Sequence, residues 1–87
     1  MFVILCYDAA SKRDPKIRRI AEKFLIPVQE SVFQGNLTES KLKKLKGQLQ
    51  SVIIPEEDRL RIYELDSGCP LHISQLGRKA GEESFII

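Results

Sequence analysis

The chain has 87 residues, enough for one small hydrophobic core and too few for two. It is 43% hydrophobic and 30% charged with a net charge of +2, a composition typical of globular proteins. The longest apolar run, residues 1–7, is far shorter than the roughly 18 residues of a membrane span and lacks the features of a secretory signal. We therefore expect a cytoplasmic protein in which Cys6 and Cys69 are thiols.

The charges divide the chain into a basic and an acidic part. Residues 12–46 carry ten Lys or Arg against four acidic residues, whereas residues 47–87 carry four against seven. A basic region on a nearly neutral chain favours an anionic partner, and nucleic acid is the first candidate. The alternative is a pair of solvent-exposed helices that are rich in lysine and bind nothing.

The first predicted elements are a strand and a helix. Residues 2–7 form a β-branched and aromatic run too short for a helix, and Asp8 ends it. Residues 12–25 show the apolar spacing of a helix with Pro15 in its first turn. Another side of this helix carries a basic stripe, formed by Lys12, Lys16, Arg19 and Lys23.

Extended chain and a second helix follow. Pro27 forces extended geometry on the residue before it, and residues 28–37 then form one bent strand or a hairpin of two short ones. Thr38 is a good N-cap for a helix whose apolar seam ends before Pro55. The outer face of this helix carries Lys41, Lys43, Lys44 and Lys46.

The last part of the chain is predicted to be a strand and a tail. Residues 59–65 alternate with the period of a strand. Residues 66–82 are loop-like, because they hold three of the five glycines, and residues 84–87 are a candidate last strand. We place one domain at residues 1–66 and a C-terminal extension at 67–87.

This order of elements matches a ferredoxin-like α+β fold, β-α-β-β-α-β, with an extra strand at the C-terminus. Its two helices cover one face of the sheet. The first strand is apolar on both faces, and the chain has no third helix to cover the second face. We therefore expect a second copy of the chain to cover that face in a homodimer.

Asp8 is the main candidate for chemistry. It stands at the carboxyl end of the first strand, where open sheets place ligand groups, and a carboxylate suits Mg²⁺ or another hard divalent cation. The two copies of Asp8 in a dimer would give a two-carboxylate site for activating water against a phosphodiester. From the residues alone, the better-supported reading is an Asp that turns the chain into the first helix.

Other motifs point to chemistry less strongly. Cys69 and His72 have a metal-like spacing, but a zinc site needs about four ligands and only Cys6 remains. The serines have no histidine base in a recognisable motif, and no glycine-rich phosphate loop is present. An RNA-recognition motif would need several stacking aromatics where this chain offers Phe33 alone.

Three segments make the chain resemble CRISPR-associated protein two, the small subunit of spacer acquisition. They are Tyr7-Asp8, residues 29–37 with the pattern Gln-x-Ser-Val-Phe-x-Gly-x-Leu, and Arg61-Ile62-Tyr63. The likeness covers about residues 1–66. It implies a homodimer whose sheets face each other, with the C-terminal strand crossing onto the partner.

The resemblance also implies a Mg²⁺-dependent endonuclease site at the paired Asp8. Members of the family act on single-stranded RNA, on double-stranded DNA, or on neither. Positions that match residues near the family's site are Tyr7, Ser31, Phe33 and either Arg18 or Arg19. These residues would shape the dimer and bind phosphate.

An architectural role is implied as well, in which the dimer bridges two dimers of the CRISPR integrase and holds duplex DNA. The basic residues of both helices would then contact phosphates with salt-dependent, sequence-independent affinity. Two alternatives remain: a toxin-like ribonuclease resembling virulence-associated protein D, and a non-enzymatic ferredoxin-like regulatory module. The sequence leaves open whether the protein is an enzyme or an adaptor.

Overall fold

The computed structural model describes residues 1–66 and 72–77, which form one antiparallel sheet and two helices. The elements are β1 (Phe2–Asp8), α1 (Asp14–Phe24), β2 (Ile26–Gln29), β3 (Val32–Asn36), α2 (Glu39–Val52), β4 (Arg59–Leu65) and β5 (His72–Gly77). The strand order is β2-β3-β1-β4-β5, which places β1 in the middle. The predicted ferredoxin-like α+β fold is confirmed. Neither helix is long and apolar enough to cross a membrane.

The core lies between the two helices and one face of the sheet. Along β1 the buried side chains alternate with half-buried ones, so one side of the strand faces the helices and the other does not. Residues with no exposed surface in this core are Val3, Leu5, Ile17, Ala21, Phe33, Leu45, Leu49, Leu60 and Ile62. They come from both helices and the three central strands, which fixes the helices over the middle of the sheet.

The helix ends largely follow the sequence signals. The Thr38 hydroxyl accepts a hydrogen bond from the backbone N–H of Lys41 at 3.2 Å, which confirms the predicted N-cap of α2. Pro15 lies in the first turn of α1, where its missing N–H costs no helical hydrogen bond. Helix α1 starts at Asp14, two residues later than the pattern suggested.

The segment between the helices is a hairpin, which decides between the two forms left open by the sequence. β2 begins at Ile26 directly after α1, and residues 30 and 31 form the turn to β3. Pro27 pairs with Phe33 on the edge strand of the sheet, where a residue without an N–H is tolerated.

The prediction that residues 66–82 are loop-like is wrong for β5, which pairs with β4 of the same chain along its length. Gly77, read as a turn signal, ends the strand with φ of +84°. A Cβ at Gly77 would lie 2.3 Å from the carbonyl oxygen of Asp58, so this glycine permits a close backbone approach. Cys69 and the candidate strand at residues 84–87 lie outside the described residues. Exchange of the C-terminal region onto a partner stays a prediction.

Asp58 is a fully buried carboxylate immediately before β4. It accepts hydrogen bonds from Arg13 Nε at 2.6 Å and Nη2 at 3.0 Å. The backbone N–H groups of Ala10 and Ile54 donate to it at 3.1 and 2.8 Å. The Arg13 hydrogen bonds are the main cause that lowers the pKa of Asp58 to about 2. Local sequence gives no sign of this connection, because Arg13 and Asp58 are 45 positions apart.

We expect Asp58 to stabilise the fold at neutral pH and to lose that effect in acid. Its pKa is about 2 in the folded chain against an ordinary 3.8, so the stabilisation is complete above about pH 4 and disappears as the pH falls through 2. Asp58→Asn should lower the free energy of unfolding at pH 7 by about 3 kcal/mol, because the buried Arg13 charge loses its buried partner and keeps only the exposed Glu57. Urea denaturation followed by circular dichroism between pH 2 and 7 measures both effects.

Glu57→Gln is the matched control. The Glu57 carboxylate also accepts from Arg13 at 2.6 Å, but its side chain is 56% exposed. Removing such an exposed partner costs about 1 kcal/mol or less. The role assigned to Asp58 would be contradicted if the two variants lost equal free energy of unfolding. It would also be contradicted if the stability of Asp58→Asn fell in acid as steeply as that of the wild type.

Candidate functional site

Asp8 is the last residue of β1, one position further into the strand than the sequence suggested, because it pairs with Arg59 of β4. The alternation along β1 places its side chain on the face of the sheet that the helices leave uncovered. The side chain is 70% exposed, and Oδ2 lies 3.4 Å from Nη2 of Arg59. Asp8 is therefore an accessible carboxylate whose described partner is one arginine.

A shallow cavity of about 230 Å³ opens beside Asp8 on the uncovered face. It is lined by Cys6, Tyr7, Asp8, Arg59, Arg61 and Tyr63. Arg61 donates a hydrogen bond to Gln75 of β5 at 2.8 Å. Burial raises the pKa of the Cys6 thiol, against a smaller opposing effect of Arg61, so the thiol is protonated at neutral pH. The cavity thus offers one carboxylate and two guanidinium groups, which suit a cation and a phosphate.

The aromatic residues predicted near the site lie on the other side of the sheet, under the helices. The rings of Tyr7 and Phe33 stack with their centroids 6.3 Å apart. The guanidinium of Arg18 lies 5.8 Å from the centre of the Phe33 ring and donates to the Glu30 carbonyl at 2.7 Å. Arg18 therefore joins α1 to the turn between β2 and β3.

The structure thus distinguishes the two arginines that the sequence left as alternatives. Arg18 is half-buried in this cluster, whereas Arg19 is exposed on α1. Ser31 adjoins the cluster through its backbone, because its carbonyl accepts from the N–H of Tyr7 at 3.1 Å. The strand that ends in Asp8 is therefore supported by Tyr7, Phe33 and Arg18 on the helix-covered face, opposite the face that carries Asp8.

The Tyr7 hydroxyl is not suited to proton transfer. Burial raises the pKa of Tyr7 to about 12, and the nearby Asp14 carboxylate adds to the effect. The hydroxyl is buried, and its interaction with the Asp14 side chain favours the protonated form. Tyr7 is therefore a packing residue at neutral pH.

The basic residues of the helices form a second candidate site. We call seven exposed cations the basic helix surface: Lys12, Lys16, Arg19, Lys23, Lys41, Lys43 and Lys44. Lys23 Nζ donates a hydrogen bond to Gln48 Oε1 of α2 at 3.3 Å, so this side of α1 adjoins α2. Lys46 differs, because its Nζ lies 2.9 Å from Glu64 Oε2 and 3.0 Å from Ser74 Oγ. The Lys46 charge is therefore compensated by Glu64 of β4, and Lys46 is not counted in the basic helix surface.

A metal ion would find one ligand of the right kind in each chain. In residues 1–66 and 72–77, no group of three or more His, Cys, Asp or Glu side chains could hold a metal ion. Mg²⁺ needs few protein ligands, keeps several waters and often binds substrate phosphates as well. Asp8 fits such a site as one of two carboxylates or as a ligand completed by phosphate. Cys69 and the side chain of His72, which have the metal-like spacing, lie outside the described part of the chain.

These features define a small ferredoxin-like protein with a basic helical layer and an exposed carboxylate at the end of its central strand. The family model described as CRISPR associated protein Cas2 matches residues 1–72. The chain belongs to this family, which confirms the resemblance drawn from the sequence.

Two relatives are named CRISPR-associated endoribonucleases. The chain is 42% identical over 86 residues to Cas2 of Thermotoga maritima, with 99% of each chain covered. It is 42% identical over 66 residues to a Cas2 of Thermodesulfovibrio yellowstonii, with 76% of this chain and 75% of that one covered. The crystal structure of Streptococcus pyogenes Cas2 at pH 6.5 is similar with a TM-score of 0.70 and 26% identity, over 76% of this chain and 87% of that one.

Proposed function

We propose that this protein is a subunit of CRISPR spacer acquisition, which binds duplex DNA as a homodimer and bridges dimers of the integrase. The basic helix surface is the observation that carries the proposal. Within the described residues, none of its seven cations forms an ion pair, so their charges are available to phosphate. Contacts of lysine and arginine with phosphate carry no sequence information, which suits a protein that must accept any spacer.

The uncovered face of the sheet supports the homodimer. Phe2, Ile4 and Cys6 lie half-buried along β1 on this face, although no helix covers them. Leu65 and Ile73, on β4 and β5, are 40% and 43% exposed. Contiguous apolar patches are rare on monomers and mark association surfaces. A second copy packed sheet to sheet would bury these apolar side chains, and the basic helix surfaces would then lie on the two outer sides of the dimer.

A second candidate activity is a Mg²⁺-dependent endonuclease at Asp8, acting on single-stranded RNA or double-stranded DNA. The specific support is the exposed Asp8 carboxylate in a cavity with Arg59 and Arg61, together with the endoribonuclease names of the relatives. A metal bound there would activate water and neutralise phosphate charge. This chain's own part is to supply a carboxylate ligand and two guanidinium groups for the phosphate.

Membership of the Cas2 family favours these activities over a toxin-like ribonuclease and over a non-enzymatic regulatory module. Duplex binding and cleavage depend on different parts of the molecule: the outer surface of the helices and the Asp8 end of the uncovered face. Substitutions can therefore test them separately.

Replacing Lys16 and Arg19 together by Gln should weaken duplex binding. Each lost phosphate contact reduces the slope of log affinity against log salt concentration by about 0.9, so the double variant should lose about 2. Fluorescence anisotropy with a labelled duplex at several salt concentrations measures the slope. Lys46→Gln is the control, because Glu64 already compensates the Lys46 charge. A wild-type slope in the double variant, or an equal loss in the control, would contradict the proposed surface.

Ile4→Lys should convert the proposed dimer to monomers. A lysine buried without a partner between two sheets costs about 3 kcal/mol or more, which raises the dissociation constant about 100-fold. Sedimentation velocity over a range of concentrations measures the change. Gln50→Lys introduces the same charge at an exposed position of α2 and should leave the dimer intact. A dimer that survives Ile4→Lys would place the interface elsewhere.

Asp8→Asn should abolish Mg²⁺-dependent cleavage of labelled RNA or duplex DNA, with a loss of at least about 100-fold because the metal loses its charged ligand. Asp66→Asn is the control, since Asp66 is an exposed carboxylate beyond the opposite end of the β1–β4 pair. Gel assays with Mg²⁺ and with EDTA should use samples of equal dimer content. Cleavage that survives Asp8→Asn would exclude this site. Absence of cleavage in every sample, with duplex binding intact, would favour the adaptor role alone.

A further inference from the structure

The ion pair between Asp8 and Arg59 occupies the carboxylate that the proposed metal site needs. These residues are direct partners in the antiparallel register of β1 and β4, so their side chains lie on the same face of the sheet. Arg59 Nη2 is 3.4 Å from Asp8 Oδ2. Local sequence gives no sign of this pair, because the two residues are 51 positions apart.

A guanidinium and a divalent cation would compete for this carboxylate. Mg²⁺ binds a carboxylate oxygen at about 2.0–2.1 Å, which would put two positive charges within a few ångströms of each other beside one negative charge. The pair is long, and its side chains are 31% and 70% exposed for Arg59 and Asp8. Exposed pairs of this kind are weak and open easily. Binding of the metal would therefore release Arg59.

We propose that Arg59 is a positioning residue that holds the Asp8 carboxylate before the metal arrives and then binds the substrate phosphate. The proposal rests on the metal site put forward for Asp8. The freed guanidinium lies in the same solvent-open cavity as Asp8 and can reach a phosphate that enters there. Its planar donors match two phosphate oxygens at once. When Arg59 exchanges the Asp8 carboxylate for a phosphate, that phosphate lies next to the metal ligand.

Register and hydrogen bonding assign this role to Arg59 in preference to Arg61, the other arginine of the cavity. Arg61 pairs with Cys6 in the β1–β4 register, two positions away from Asp8. Its guanidinium donates to Gln75 of β5 at 2.8 Å, which directs it toward the next strand.

Metal binding without substrate is the first test. Titration with Mn²⁺, followed by the electron paramagnetic resonance signal of the free ion, gives dissociation constants for the wild type, Arg59→Gln and Asp8→Asn. Removing the competing charge should tighten Mn²⁺ binding by about two- to fivefold in Arg59→Gln. Arg19→Gln removes the same charge from an exposed position on α1 and should leave Mn²⁺ binding unchanged.

Substrate binding in saturating Mn²⁺ is the second readout. A labelled single-stranded RNA, bound on ice and checked on a gel for intact length, should bind Arg59→Gln about fivefold more weakly than wild type, because one charge-assisted contact is lost. Arg59→Lys keeps the charge, so it should restore the wild-type affinity for Mn²⁺ but not the full affinity for RNA. A purely structural role for Arg59 would not make the two affinities move in opposite directions.

The outcomes separate this proposal from the one on which it rests. Wild-type Mn²⁺ binding by Asp8→Asn would show that the metal site itself is wrong, and the role of Arg59 falls with it. Loss of Mn²⁺ binding in Asp8→Asn, combined with unchanged or weaker binding in Arg59→Gln, would overturn the role of Arg59 and leave the metal site standing. Tighter Mn²⁺ binding and weaker RNA binding in Arg59→Gln would support it.

Discussion

The buried Asp58 carboxylate organises the end of the sheet where the candidate chemistry lies. It joins three segments: the loop after β1 through Ala10, the approach to α1 through Arg13, and the loop after α2 through Ile54. Asp58 immediately precedes Arg59, and Ala10 lies two residues after Asp8. Its hydrogen bonds therefore fix the ends of two neighbouring strands at the point where their side chains form the Asp8–Arg59 pair.

The proposed duplex-binding surface and the proposed nuclease site lie on opposite sides of the sheet. One face carries the core and the two helices, whose outer surface holds cations without ionic partners among the described residues. The other face carries Asp8, the arginine-lined cavity and an apolar strip along β1. The proposed duplex binding on the helices therefore needs no contribution from Asp8.

Periodicity predicted most of the architecture. α1, α2 and β4 were visible as periodic patterns and β1 as a short β-branched and aromatic run, and the N-cap at Thr38 follows from local chemistry. β5 was missed because glycines suggested a loop, although Gly77 serves a close approach to the Asp58 backbone. The hairpin between the helices could not be resolved from sequence, since the choice depends on pairing with β1.

Local sequence by itself determined four of the elements (β1, α1, α2 and β4), the basic residues on both helices, and the segments that mark the family. Those properties depend on neighbours within a few positions along the chain. Tertiary structure decided which charges are available and which are paired: Lys46 is compensated by Glu64, Asp58 is buried with Arg13, and Asp8 faces Arg59. The partners in the last two pairs are 45 and 51 positions apart. Only the antiparallel arrangement of β1 and β4 and the packing of the loops at their ends bring them together.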